Sequence, residues 1–201
     1  MITYLFLAIF ICLMGYMVYF QTVKSEDFIN SPYNSRQDTF ADRVVRGKIM
    51  SADGKVLAET VVDAAGNETR KYPYGNMYAH VVGFSTNGKS GIESNMNFNL
   101  LRSHSFVLER MFNEIKDEKS MGDNVVTTLD STLQETAYQA LGNYDGAVVV
   151  MEPSTGKVLA MVSKPDFDPN TIAADWDSII SEDNNNSVLL KRASQGFYSP
   201  G

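Results

Sequence analysis

The sequence predicts an α+β protein behind one membrane-spanning helix, and three features predict it. Residues 2–20 carry no charge and are rich in Leu, Ile, Phe, Met and Tyr, close to the ~20 apolar residues a helix needs to cross the hydrocarbon core of a bilayer. Two hairpin signals follow, one at Asp53-Gly54 and one at Pro153-Ser154-Thr155-Gly156. Between them lie runs with helical spacing.

The apolar span has three readings: an uncleaved anchor, a cleaved signal peptide or a buried core helix. Cleaved signals carry a basic start and small residues at the cleavage site. Here the start has no Lys or Arg, and Tyr16-Met17-Val18-Tyr19-Phe20 is bulky throughout. The anchor is preferred. The net charge of −7 argues against nucleic acid, whose phosphates demand a basic footprint. The single cysteine, Cys12, excludes an intrachain disulfide. With only His80 and His104 beside it, no metal site is predicted, and no cofactor is.

Past the span, residues 21–43 are polar and form a stalk into the first folded part. Around Asp53-Gly54 apolar residues alternate, and Asp-Gly supplies the positive φ angles of a tight turn. Asp63-Ala64-Ala65-Gly66-Asn67 is a second turn. Ile92, Met96 and Leu100 recur at spacing four and predict a helix face over 92–101. Glu93 lies in its first turn, where the helix dipole favours a carboxylate. Catalysis and a helix-start or ion-pair role are both open to Glu93, the second preferred. A second helix is predicted over 106–115, with Val107, Leu108, Met111, Phe112 and Ile115 on one side, and Lys116-Asp117-Glu118-Lys119 is its solvated end.

Residues 125–129 read as a strand by β-branched content. Asp130 is the N-cap of the next helix, which carries Leu133, Ala137 and Leu141 at spacing four and ends at Gly142. Gly146-Ala147-Val148-Val149-Val150-Met151 is a continuous apolar run, the pattern of a strand buried on both faces. Its partner returns over 157–163. Asp166 and Asp168 read as turn formers rather than paired acid/base carboxylates. Residues 181–187 are a polar surface loop, and Pro200-Gly201 is a turn ending on a surface.

Several of these stretches together carry a resemblance. Arg46, Gly47, Ile49, Gly54, Leu57 and Ala58 match an R-G-x-I-x-D-R-x-G-x-x-L-A hairpin, with Ser51 and Ala52 in place of its acidic-basic pair. Tyr72-Pro73-Tyr74-Gly75, Ala79-His80-Val81-Val82-Gly83-Phe84 and Gly88-Lys89-Ser90-Gly91-Ile92-Glu93 follow in the same order as in that series of motifs. From Thr128 to Asn170 the chain keeps T-L-D-x-x-L-Q, then G-A-x-V-x-M-E-P-x-T-G-x-V-L-A-M-V-S-x-P-x-F-D-P-N. The chain thus resembles the class B penicillin-binding proteins, membrane-anchored D,D-transpeptidases that cross-link peptidoglycan.

That resemblance implies a transmembrane anchor over 1–20, a stalk and small mixed α/β pedestal of dimerisation type over 21–120, and the start of a transpeptidase domain over 121–201. Only the first helix and β-hairpin of that serine β-lactamase-like domain would be present, so the domain is incomplete. It also implies a cytoplasmic N-terminus with the remainder outside the cell. In the family a Pro-Gly pair directly precedes the serine of an S-x-x-K motif, and here Gly201 is the last residue. Lys191 stands where relatives carry Asn before Arg-Ala.

Ser51, Ser154 and Ser163 sit in turns or strands, so no catalytic residue is assigned. Peptidoglycan stem peptides and β-lactams would engage the full-length form only, beside a membrane glycosyltransferase. Two other roles stay open: a non-catalytic anchored module docking a division or elongation partner through residues 43–115, and a relic without function. Division and elongation stand equal.

Overall fold

A computed structural model describes residues 2–25, 44–103, 119–181 and 187–197. Helix α1, Ile2–Tyr19, continues through a π-helical turn, Phe20–Lys24. The stretch Ile2–Lys24 has 23 residues, none of them buried, and is long and apolar enough to cross a membrane. At its far end Thr22 and Ser25 turn their hydroxyls back onto the helix, donating to Val18 O at 2.9 Å and Gln21 O at 2.7 Å. Tyr16, Tyr19 and Phe20 gather there, as aromatic rings do at membrane–water interfaces.

The pedestal is built on a short mixed sheet. Strands β1 (Val44–Val45), β2 (Ile49–Met50), β3 (Val56–Val62) and β4 (Glu68–Lys71) come first in the chain. Strands β5 (Ser120–Met121) and β6 (Val125–Val126) come later. One four-stranded sheet runs β4-β3-β2-β6, and β1 pairs separately with β5. β2 and β6 are parallel, as are β1 and β5. Residues on both sides of position 121 therefore share the same layer.

The Asp53-Gly54 turn forms, with a different geometry from the expected one. Only Gly54 takes a positive φ, 82°. Gly54 N–H donates to Ser51 O, and Ser51 N–H donates to Lys55 O. That is a three-residue loop closed by a glycine bulge, the next commonest hairpin after the two-residue one. Ser51, fully buried, seals it by accepting from Lys55 N–H at 3.0 Å. Beyond the loop the β2–β3 register shifts by one residue. The bulge lets consecutive Leu57 and Ala58 both face inward, which strict alternation forbids. The second turn closes on Asp63, whose Oδ1 accepts from Ala65 and Asn67 N–H, and leads into the polar strand β4.

Against the sheet lie a 3₁₀ turn (Gly75–Tyr78) and three short helices, α2 (Ala79–Val82), α3 (Gly91–Asn95) and α4 (Asn97–Leu101). The single helix expected over 92–101 is broken at Met96 (φ −105°, ψ 18°), which is 41% exposed. Spacing four put Met96 on the buried face. The break rotates it outward while Leu100 stays fully buried with Ile49, Leu57, Tyr72, Tyr78, Val82 and Leu129. The helix expected over 106–115 lies outside the described residues.

The strand expected over 125–129 is two residues long. Beyond Val126 single bonds persist, Thr127 N–H donating to Met50 O and Ala52 N–H to Leu129 O, while Thr128 Oγ1–H donates to Val158 O and Asp130 N–H to Leu159 O. Helix α5, Ser131–Leu141, begins as expected on Asp130, whose carboxylate accepts from Leu133 N–H at 2.9 Å, and ends at Gly142. Its inner face is Ser131, Gln134 and Ala137, however, and Leu133 is 38% exposed. Strands β7 (Gly146–Met151) and β8 (Val158–Lys164) form the second hairpin.

β7 is covered along one face and only at its start on the other. Val148 and Val150 pack with Ala137, Ala160 and Val162 beneath α5, whereas Val149 and Met151 are 41% and 53% exposed. The expectation of a strand buried on both faces is corrected: α5 covers one side, while on the other residues 190–192 reach Ser163, the partner of Ala147, and leave Val149 and Met151 open. Helix α6, Ile172–Ile180, was not anticipated, although Ile172, Trp176 and Ile179 carry a helical spacing. It packs on Ala79, Phe84 and Phe167, binding the second half of the chain to the pedestal. A last short helix, α7, covers Arg192–Gln195.

Candidate functional site

Two polar constellations join the sequence motifs, and neither contains a nucleophile. The first is a buried ionic knot in the pedestal. Glu93, at 0% exposure, is brought by α3 between two arginines. Arg46 Nε donates to its Oε2 at 2.6 Å and Arg70 Nε to its Oε1 at 2.8 Å. Arg46 also donates to Glu93 O and to Asn97 Oδ1, and Arg70 Nη1 to Gly47 O and Thr60 Oγ1. Tyr72 O–H reaches Glu93 Oε1 at 3.4 Å. Burial, followed by the nearby carboxylate, pushes the Tyr72 phenol up to about 12. Burial works against the Arg46 cation, and Glu93 is the largest opposing influence. Of the two roles open to Glu93, the geometry is that of an ion pair: both carboxylate oxygens are engaged and the group is sealed from solvent.

The second constellation is the junction between the pedestal and the β7–β8 hairpin. Asp166 accepts from Asn76 Nδ2 at 2.9 Å and from Tyr138 O–H at 2.7 Å, so it ties the 3₁₀ turn to α5. Reading Asp166 as a turn former missed this, because neither partner is near it in sequence. Asp168 does act locally, accepting from Asn170 N–H and Nδ2. Asn170 in turn donates to Tyr72 O and accepts from Tyr72 N–H, pairing like an added strand residue. Gln134, fully buried, donates to Met77 O and Met161 O and accepts from Met161 N–H. A lone glutamine on a helix carries no local signal for such a role.

At the turn joining the hairpin strands, Glu152, Thr155 and Gly156 close the loop by backbone bonds. Ser154 has Lys157 three residues on, the S-x-x-K spacing, but both are exposed and lie in this turn. Only a helix brings positions three apart onto one face, so the spacing carries no chemistry here. Ser51 is engaged with Lys55, as above. Ser163 is 2% exposed on β8 and bonded to the segment before α7.

His80 closes the junction from the pedestal side. Its Nε2–H donates to Pro165 O at 2.9 Å, its ring meets Phe167 edge-on, and its buried Nδ1 has no hydrogen-bond partner. Protonating Nδ1 would bury an N–H without an acceptor. Burial accordingly lowers the His80 pKa from its ordinary 6.5, opposed by the Pro165 bond and Asp166 and assisted by Lys191 and Arg192. The unfolded chain therefore takes up this proton first. The contribution of neutral His80 is complete above about pH 6.5 and is lost as pH falls from there toward the folded value. Thermal unfolding between pH 7.5 and 5 is expected to show a smaller loss of Tm for His80→Gln than for the wild type. Equal slopes would clear His80 of this role.

Comparison with known proteins follows the same motifs. A family model of the penicillin-binding protein A dimerisation domain matches residues 46–125, and one of the penicillin-binding protein transpeptidase domain matches residues 146–201. The chain belongs to the class B penicillin-binding proteins.

Among its relatives in that family, the peptidoglycan D,D-transpeptidase PbpA of Mycolicibacterium smegmatis is 37% identical, over 78% of this chain and 35% of that protein. The peptidoglycan D,D-transpeptidase MrdA of Acinetobacter baumannii is 32% identical, over 66% of this chain and 24% of that protein. The D,D-transpeptidase domain of an Eggerthella lenta peptidoglycan glycosyltransferase superposes with a TM-score of 0.66 at 36% identity, covering 79% of this chain and 34% of that structure. Penicillin-binding protein A of M. tuberculosis, solved as an imipenem acyl-enzyme complex, superposes with a TM-score of 0.64 at 32% identity, covering 77% of this chain and 38% of that structure. The chain thus spans between a quarter and about a third of the curated relatives it matches.

In this family setting, the knot joins the R-G-x-I hairpin to the G-x-x-G-I-E segment. The junction joins A-H-V-x-G to S-x-P-x-F-D-P-N. An apolar N-terminal helix, in company with these relatives, indicates a membrane-anchored protein.

Proposed function

We propose that this chain is the anchor, pedestal and opening hairpin of a peptidoglycan D,D-transpeptidase. The observation that carries the reading is the junction. Motif residues of both family models, His80, Asn76 and Tyr72 on one side and Pro165, Asp166 and Asn170 on the other, meet in direct hydrogen bonds. In this reading residues 1–20 cross the membrane once with the N-terminus in the cytoplasm, residues 21–120 form the pedestal, and residues 121–201 open the catalytic domain.

The reacting serine would follow Gly201 in an S-x-x-K motif, with the lysine one helical turn on taking its proton. Backbone N–H groups would hold the oxyanion as the stem peptide is transferred. The exposed face of β7, Val149 and Met151, suits cover by further strands of that domain. A membrane glycosyltransferase is the partner this arrangement would serve.

Membranes carrying the intact protein, treated with a fluorescent penicillin, are expected to show one covalently labelled band that unlabelled penicillin suppresses. No labelling of correctly folded protein would sink the enzyme reading.

A further inference from the structure

Strand β8 and the residue just past it are held by hydrogen bonds from other elements. Gln134 grips Met161 by both backbone groups, and His80 holds Pro165 O just past the strand end. Between them Ser163 pairs with Ala147 of β7 and is 2% exposed.

Helix α7 begins at Arg192 with Lys191 in the N-cap position and no side-chain cap of its own. Lysine has no acceptor atom, and the first amides of a helix have no intrahelical partner. Ser163 supplies the acceptor from a different element. Its Oγ accepts from Arg192 N–H at 3.0 Å and donates to Leu190 O at 3.5 Å. Gln195 Oε1 folds back to accept from Lys191 N–H at 3.1 Å. One hydroxyl thus ties backbone groups on both sides of Lys191 to the sheet, while Val188 and Leu189 pack on the Phe84, Phe167 and Ile172 cluster.

We propose that Ser163 is a positioning residue for acyl transfer, fixing the chain at 190–192 ahead of the reacting serine that the transpeptidase reading expects. This inference rests on the transpeptidase reading and assigns a role that the S-x-x-K chemistry does not require of any strand serine. Ser163 touches no reacting atom. It acts through the backbone of Arg192, and loss of one such bond changes a rate by up to about tenfold.

The test measures acylation of the intact, detergent-solubilised protein by a fluorescent penicillin over a range of concentrations, separating non-covalent binding from the covalent step. Ser163→Ala is expected to slow the covalent step about tenfold, with non-covalent binding unchanged. Ser163→Thr, which keeps the hydroxyl, is expected to restore it. Hydrogen exchange over 190–195 is expected to quicken in the alanine variant. Val162→Ala, the buried neighbour on the same strand, serves as the stability control.

A Ser163→Ala protein that acylates at the wild-type rate, or loses no more than Val162→Ala at matched Tm, overturns the inference. That comparison decides the matter if the threonine variant does not fold. A wild type that takes no label overturns the transpeptidase reading and this inference together. A labelled wild type with an indifferent Ser163→Ala overturns the inference alone.

Discussion

Glu93→Ala is expected to cost the pedestal about 3–5 kcal/mol, because it leaves two buried guanidinium groups without their counter-charge. Arg46 and Arg70 have side-chain exposures of 11% and 7% against 0% for Glu93. Exposed ion pairs are worth ~0–1 kcal/mol, but here neither arginine can recover hydration without opening the sheet. The remaining bonds of the arginines run to backbone carbonyls of Arg46, Gly47 and Glu93 and to Thr60 and Asn97. Losing Glu93 therefore loosens the β1–β2 connection, β3, β4 and α3 together. Denaturant unfolding of the detergent-solubilised protein reads the loss. A triple replacement, Glu93→Leu with Arg46→Met and Arg70→Leu, is expected to recover much of it, since the desolvation cost of the charges leaves with them. A single variant within 1 kcal/mol of wild type would show that the knot is not a stability centre.

Gly83→Ala is expected to be comparably damaging, at about 3 kcal/mol or more, through backbone rather than charge. Gly83 ends α2 at φ 83° and ψ −154°, a region essentially reserved for glycine that costs other residues about 1–3 kcal/mol. A Cβ there would stand 1.9 Å from Ser90 O and 2.3 Å from Ser90 C. Both are backbone atoms that cannot swing away, and overpacking of this kind adds about 1–3 kcal/mol. Across the contact, a Cβ on Gly91 would meet Val81 O at 2.6 Å and Gly83 N at 2.8 Å. The two motif glycines thus lie back to back where α2 meets α3. Thermal unfolding of Gly83→Ala and Gly91→Ala tests this, and a Tm within a degree or two of wild type for Gly83→Ala would refute it.

These two predictions mark where reading the chain alone stops. The motif residues Glu93 and Gly83 are visible in the sequence, and of the helix-start or ion-pair role preferred for Glu93 the geometry shows the ion pair. Its partners, at positions 46 and 70, are not visible, because no local spacing links them. The same holds for Gln134, whose three bonds reach Met77 and Met161, and for Asp166, which looks like turn chemistry until Asn76 and Tyr138 arrive beside it. Where the two disagree, competition between local and tertiary preference is the reason. Spacing four predicts one helix across Met96, yet the chain breaks there, with Met96 turned outward and Leu100 in the core. The continuous apolar run of β7 predicts burial on both faces, yet Val149 and Met151 on one of them are left open by the described residues.

Short-range chemistry was decided by the sequence itself: the uncharged helix at the N-terminus, the Asp130 cap and Gly142 stop of α5, the two hairpin turns, and the motifs that place the chain in its family. Each depends on φ preference, capping or periodicity within a few residues, where neighbours in sequence are also neighbours in space. The tertiary structure alone decided which carboxylate meets which arginine, which helix face turns inward, and which serine ties the sheet to residues 190–192. Those outcomes come from pairings of buried polar groups between distant segments, which form only once the core has expelled water and left each donor to find an acceptor within the protein.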